Sequence, residues 1–179
     1  MKKNAGYTIV MLLVVAAVLA VGLLVAVPIW QTQIQRENEE ELIFRGTQYV
    51  EAIRLYQQKN PGQFPRTLEE LYKKRYLRRL YPDPMTKHGK WDVLLQQERL
   101  AQGDTQTGQP APQKLLAISE TNLSAVPNAL IVGVVSSSPK KSLRLYNDEE
   151  TYNQWFFYYG QDPRSKPEVI YYGEAEGKR

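Results

Sequence analysis

An uncharged stretch of 32 residues, 4–35, dominates the N-terminal part of this 179-residue chain. Its apolar core, 7–30, is 24 residues long, and a helix rising ~1.5 Å per residue would extend about 36 Å, enough to cross a hydrocarbon layer of roughly 30 Å. Lipid offers the backbone no hydrogen-bond partners, so the stretch is predicted to be one membrane-spanning helix. Lys2 and Lys3 precede it, which predicts a cytoplasmic N-terminus and export of everything after Trp30.

Three interpretations of this stretch compete. A cleaved secretory signal has a shorter apolar region and ends in a small-x-small site, and residues 27–30 offer no such site. The two others are a plain membrane anchor, and a membrane helix that also serves as an assembly helix and is cut at its front.

Composition limits the exported part. About 145 residues remain beyond the membrane segment, which suits one domain. The chain has 23 basic and 19 acidic residues, and two of the lysines precede the apolar stretch. The near balance of the rest does not indicate nucleic-acid binding. With no cysteine in the sequence, disulfides, thiolate metal sites and cysteine nucleophiles are excluded.

A helical pattern continues beyond the apolar stretch. Apolar and small side chains recur there at spacings of 4, 3, 4 and 3, on one helix face: Leu42, Gly46, Tyr49, Ile53 and Tyr56. One helix over 7–58 is predicted, bent at Pro28. Its membrane half is 7–30 and its amphipathic half is 31–60, where Asn60, Pro61 and Gly62 end it. Residues 61–179 are predicted to form the globular domain.

The globular part is predicted to be mainly β-structure. Thr67 and Glu70 fit a capping box that begins a short helix reaching about Tyr76. Strands are predicted within 91–100, at 115–118, 129–135, 143–146 and 155–159, and at a last edge, 169–172. Residues 101–113 are rich in Gln, Gly, Thr and Pro and are predicted to form a mobile loop. The fold class is therefore α+β, with the long helix packed on a small, mainly antiparallel sheet.

The first seven residues carry a family resemblance. A basic leader, 1–6, ends in Gly6, and the aromatic Tyr7 opens the apolar run. This resembles the N-terminus of the type IV pilin and pseudopilin superfamily. The resemblance implies that a prepilin peptidase cuts between Gly6 and Tyr7 and that the new amine on Tyr7 is methylated. Pro28, the twenty-second residue counted from Tyr7, lies where that family carries its helix-kinking proline.

One position departs from the family pattern. The family has a glutamate at the fifth mature position, where it neutralises the N-terminal amine of a neighbouring subunit; this chain has Met11. A methionine cannot pair with a charge in lipid, where unpaired charges are costly. Some minor tip subunits also lack the glutamate. The assembly helix implied by the resemblance includes Met11 and the residues after it: Leu12, Leu13, Val14 and Val15.

A second resemblance covers 55–91. The order of Phe64-Pro65, the 68–71 "LEEL" segment, the 80–84 "LYPDP" segment and Gly89 to Trp91 is similar to the major pseudopilin of type II secretion. The resemblance implies a non-enzymatic, structural subunit in the bacterial inner membrane, with its C-terminal domain in the periplasm. Its implied partners are other pseudopilins or pilins, the prepilin peptidase, and an inner-membrane assembly platform with a cytoplasmic ATPase. The alternatives are a minor tip subunit or a non-polymerising periplasmic scaffold. A membrane-anchored enzyme is the least favoured hypothesis, because the sequence offers no catalytic constellation.

Candidate chemistry is sparse in the sequence. His88 is the single histidine and lies in a lysine-rich turn, where a solvated side chain is expected. Type II major pseudopilins bind calcium in a C-terminal loop, and the acidic run 147–150 with Asp162 offers oxygens. That run fits no defined loop motif and is equally a solvated turn, so no metal or cofactor is assigned. A basic cluster at 73–79 is either a solvated helix face or a contact for acidic subunits or lipid headgroups.

Overall fold

In a computed structural model, residues 5–96, 114–161 and 166–172 are described, while the side chains of residue 5 and residues 23–29 are not. The chain divides into two compact units, Met1–Asn38 and Glu39–Arg179. The predicted mobile loop at 101–113 and Asp162 lie outside the described residues, as does the end of the predicted 91–100 segment.

The first helix, α1, runs from Ala5 to Lys59 without interruption. Its extent confirms the helix predicted over 7–58. Beyond Asn38 its predicted stripe is buried: Leu42 and Ile53 are fully buried, and Tyr49 and Tyr56 are nearly so. The helix ends where the sequence predicts, since the Asn60 N–H donates to the Tyr56 carbonyl at 2.9 Å and Gly62 has a φ of 79°.

A short helix, α2, spans Leu68–Lys73. Thr67 caps it, because its hydroxyl accepts from the Glu70 N–H at 3.2 Å. The Glu70 carboxylate in turn accepts from the Arg66 N–H at 2.9 Å, so the capping box is present with a one-residue shift. The helix is shorter than predicted: Arg75 enters the left-handed region, with a φ of 61°, and ends it before Tyr76.

The main sheet has five strands in the order β6-β3-β1-β2-β7. They are β1 (Trp91–Gln96), β2 (Lys114–Ser119), β3 (Ile131–Ser136), β6 (Phe157–Tyr158) and β7 (Glu168–Tyr171). Strand β1 pairs antiparallel with β2 and β3, and β3 with β6. β7 pairs parallel with β2 and forms the predicted last edge. The described sheet is therefore mixed, with one parallel pair.

A separate hairpin joins β4 (Lys141–Tyr146) to β5 (Glu149–Thr151). Asn147 and Asp148 connect the strands with φ values of 51° and 63°, as a type I′ turn requires. The strand predicted over 155–159 is shorter than expected. A 3-10 turn at Tyr152–Gln154 precedes it, and Trp155 packs its ring against Tyr152 and Tyr146 before the chain joins β3.

The core lies on both faces of the five-stranded sheet. Side chains alternate along β1, so that Val93 and Leu95 join the cluster built with α1, while Leu94 joins the opposite one. Gly46 and Gly133 allow the close approach of β6, because a Cβ on Gly133 would lie 2.1 Å from the Phe157 carbonyl oxygen. The described fold is thus α+β with a mixed sheet.

Candidate functional site

The predicted assembly residues form an exposed apolar region. We call the side chains of α1 residues 7–21 the apolar helix surface. Tyr7 is 76 %, Met11 61 % and Leu12 68 % exposed, and every position from Ile9 to Val15 is at least 49 % exposed. Since seven successive residues point in all directions around a helix, the segment is apolar on every side. Burying one such side chain is favourable by about 1.5–3 kcal/mol, so the surface favours an apolar environment.

The membrane interpretation of this helix is not tested by the fold. Among the residues that the structure describes, no helix combines the length and apolar content of a membrane span. The helix passes through Pro28, whose side chain is outside the described part, and the bend expected there stays a prediction.

The proposed processing position lies at the start of α1. Gly6 occupies the first turn, and a Cβ built on it would meet no atom within 4 Å. Packing in the described fold therefore does not require glycine at this position. Tyr7 follows it with its ring largely exposed.

A buried carboxylate, which the sequence did not single out, joins α1 to the hairpin. Glu39 is fully buried. Its Oε1 accepts hydrogen bonds from the Tyr152 hydroxyl at 2.7 Å and from the Leu143 N–H at 2.6 Å. The Arg144 Nε lies 3.6 Å from Oε2, and Arg144 also donates to Glu40 at 2.9 Å. We call these contacts the Glu39 clamp. They fix β4 and the turn after β5 to α1.

A second buried acid organises the turn that carries part of the family resemblance. Asp83 is 2 % exposed and accepts from the Ser136 hydroxyl at 2.7 Å and from the Met85 N–H at 2.8 Å. Burial raises the pKa of Asp83 above its usual value, against the lowering effect of these hydrogen bonds. The turn also needs Gly89, which has a φ of 64° and would bring a Cβ within 2.8 Å of Pro82.

The same turn is fastened to α1 by aromatic side chains. The Tyr49 hydroxyl donates to the Tyr81 carbonyl at 3.0 Å and accepts from the Tyr81 N–H at 3.1 Å. The indole of Trp91 donates to the same carbonyl at 2.8 Å. Burial raises the pKa of Tyr49 to about 12, which keeps the hydroxyl protonated. The "LYPDP" to Trp91 motif therefore has a structural role in positioning the sheet on the helix.

The acidic run considered for calcium is engaged with lysines. Glu149 pairs with Lys166 at 3.0 Å and Glu150 with Lys141 at 3.2 Å, while Asn147 and Asp148 form the hairpin turn. No group of three or more His, Cys, Asp or Glu side chains suited to a metal is found in the described ranges. Calcium binding remains an untested hypothesis.

The remaining polar candidates lie on the surface. His88 is exposed, as expected. In the basic cluster, Lys74 pairs with Glu70 at 2.7 Å, and the Arg79 guanidinium lies over the Tyr81 ring, 4.9 Å from its centroid. Lys73, Arg75 and Arg78 are brought together around one cleft after α2.

Comparison with known proteins adds no assignment. No family model matches the chain, and neither a curated protein nor a solved structure is detectably similar to it.

Proposed function

We propose that this chain is a pilin-like or pseudopilin-like structural subunit of a type II secretion system or a related type IV filament machine. One observation carries the proposal: α1 runs without a break from Ala5 to Lys59, with exposed apolar side chains at its start and the domain core along its end. Such a helix can hold the subunit in the membrane before assembly and can pack against other helices in a filament.

The apolar helix surface supports this role through its chemistry. It carries no charge from Gly6 to Gly22 and is apolar on all sides, so lipid or a bundle of similar helices would cover it. In this proposal a prepilin peptidase removes residues 1–6, and the subunit waits in the inner membrane with its domain in the periplasm. It then joins other pseudopilins in a filament core.

The C-terminal part of α1 is attached to the rest of the second unit at two points and can therefore transmit force to it. Within the second unit, the helix is held by the Glu39 clamp at one point and by the Tyr49–Tyr81 hydrogen bonds, ten residues further along. Force applied along α1 would therefore move the sheet with it. The proposed role is mechanical, and the energy would come from a cytoplasmic ATPase acting through the assembly platform. No enzymatic activity is proposed.

Met11 favours a second candidate within the same machinery. After cleavage, the amine on Tyr7 would have no glutamate from a neighbouring copy to pair with, since position 11 carries a thioether. An unpaired charge among packed helices is costly. The alternative is therefore a minor tip subunit, which has no subunit above it, or a non-polymerising scaffold.

Cysteine crosslinking tests the proposal cleanly, because the chain has no cysteine of its own. A Val14→Cys variant places one thiol on the apolar helix surface, and Lys87→Cys, on an exposed turn, is the matched control. In membranes of the native host, we expect Val14→Cys to crosslink to other pseudopilin-like subunits carrying cysteines at equivalent positions, and the control not to. Failure of Val14→Cys to crosslink to any such subunit would contradict packing in a filament core and would leave a plain anchor or the non-polymerising scaffold.

The Met11→Glu variant separates the two candidates. Increased incorporation into filaments would indicate that the missing carboxylate limits assembly and would favour the tip or scaffold role for the natural chain. Unchanged incorporation at a high level would favour an ordinary filament subunit.

A further inference from the structure

A basic cleft lies just after α2, in the second unit. It has a volume of about 430 Å³ and is lined by Tyr72, Lys73, Arg75, Leu77 and Arg78. We call this the basic cleft. Leu77 is buried, whereas the three cationic side chains are exposed. The cleft is therefore open to a ligand from solvent or from a surface.

The three cations of the cleft lack carboxylate partners among the described residues. Other basic side chains nearby are engaged: Lys74 pairs with Glu70 at 2.7 Å, and Arg45 pairs with Glu41 at 2.8 Å. The described ion pairs leave Lys73, Arg75 and Arg78 uncompensated. Three positive charges around one concave surface favour an anion there.

The backbone conformation of Arg75 is energetically unfavourable for a residue with a side chain. Arg75 has a φ of 61°, a conformation that strongly favours glycine at a helix C-terminus. Two hydrogen bonds to the Leu71 carbonyl, from Tyr76 and Leu77, fix this turn. A glycine would suit the turn better, so the arginine side chain is not explained by the fold alone.

An exposed aromatic side chain lies among the cations. Tyr72 lines the cleft and is 49 % exposed. A surface that mixes arginines with an exposed tyrosine suits the boundary between lipid headgroups and acyl chains. An acidic protein segment would satisfy the charge but not use the aromatic neighbour. One guanidinium group can donate two parallel hydrogen bonds to two oxygens of a phosphate, and a phospholipid headgroup carries such a phosphate.

We propose that the basic cleft binds the phosphate group of an anionic phospholipid. The domain would then contact the membrane surface through residues 72–80, in addition to any anchoring by α1. This contact rests on the proposed membrane location of the chain and not on filament assembly.

Hydrogen exchange of the full chain in nanodiscs tests this inference. Phosphatidylcholine discs are compared with discs that also contain phosphatidylglycerol, and exchange is followed in the peptide covering 72–80. We expect slower exchange in the phosphatidylglycerol discs, reversed by high salt because the attraction is electrostatic. Recovery of the chain with the discs reports membrane insertion separately, so failure of the proposed location is distinguishable from failure of the cleft.

Two double variants define the site. Arg75→Gly with Arg78→Gln removes two cleft charges, and we expect the protection of residues 72–80 in phosphatidylglycerol discs to be lost. Each basic residue near an anionic surface contributes about a fivefold factor to lipid binding, so the two together contribute about 30-fold. Lys87→Gln with Lys140→Gln removes the same charge from exposed positions outside the cleft and should retain protection. Because glycine suits the turn at residue 75, the cleft variant is expected to fold.

Three outcomes would overturn the inference. Equal exchange in both kinds of disc would exclude a headgroup site. Protection by inorganic phosphate in phosphatidylcholine discs, with no added effect of phosphatidylglycerol, would assign the cleft to a free ion. Protection that depends on the number of protein copies per disc, and not on the lipid, would assign it to an acidic segment of a second copy.

Discussion

Replacing Glu39 by glutamine should weaken the second unit more than any change at its exposed neighbour. The buried carboxylate accepts from Tyr152 and from Leu143, at 2.7 and 2.6 Å. Hydrogen bonds to a charged group contribute about 1.5–3 kcal/mol each, against about 0.5–1.5 for neutral ones. Losing the charge at two such bonds therefore costs about 2 kcal/mol. The Arg144 side chain is 44 % exposed, so its pairing adds little.

Glu40→Gln is the matched control. Its side chain is 70 % exposed and pairs with the same Arg144 at 2.9 Å, so the change should cost at most about 0.5 kcal/mol. Urea and thermal unfolding of the full chain in non-ionic detergent, followed by near-ultraviolet circular dichroism, measure both variants. We expect the Tm of Glu39→Gln to fall by about 4–8 °C. Equal effects of the two variants would refute the clamp as a major stabilising contact.

Three further changes test other parts of the fold. Because burial raises the pKa of Asp83, its carboxyl binds its proton more tightly in the folded chain; its contribution to stability is highest below the unfolded pKa and falls as the pH rises towards the folded value. Asp83→Asn should therefore flatten the fall in urea-unfolding free energy above about pH 4, and an unchanged slope would contradict this. Gly133→Ala would force a Cβ to 2.1 Å from the Phe157 carbonyl and should cost about 3 kcal/mol or more in thermal unfolding; a neutral result would show that β6 can move away. Arg75→Gly removes the cost of a left-handed conformation, about 1–2 kcal/mol, but adds about 0.5–1 kcal/mol of conformational entropy lost by glycine on folding. A modest rise in Tm is therefore expected, and a fall in Tm would show that the arginine side chain supports the turn.

Helical periodicity predicted α1 well because a long amphipathic stripe leaves few alternatives. Leu42, Tyr49 and Ile53 lie on the buried face, as their spacing requires. The burial of Glu39 was not predicted, because Glu39 lies in an acidic cluster, 37–41, that is typical of a solvated helix face. Glu39 lies three residues before Leu42 and therefore on the same helix face as the buried stripe. This spacing could have predicted its burial.

The strands show where local patterns fall short. The alternation in β4 predicted the strand that is observed, but it did not predict that Leu143 and Leu145 are exposed or that the Leu143 N–H donates to the Glu39 carboxylate. The aromatic run at 155–159 favoured a full strand, yet the packing of Trp155 against Tyr152 and Tyr146 leaves only two residues to pair with β3. The parallel pairing of β7 with β2 depends on a long-range register that no local pattern contains.

For the candidate site, the apolar character of residues 9–15 could be read from the sequence, and the structure adds that these side chains are exposed in the described chain. Processing and assembly depend on contacts with partner proteins, and both stay predictions.

N-terminal mass mapping of the chain, extracted from membranes of a host that has a prepilin peptidase, tests the central claim most directly. The account predicts a mature protein that begins at Tyr7, with its amine methylated and residues 1–6 absent. A Gly6→Ala variant, which the described packing tolerates, should remain uncut and serves as the control. A natural chain that still begins at Met1 would contradict the account.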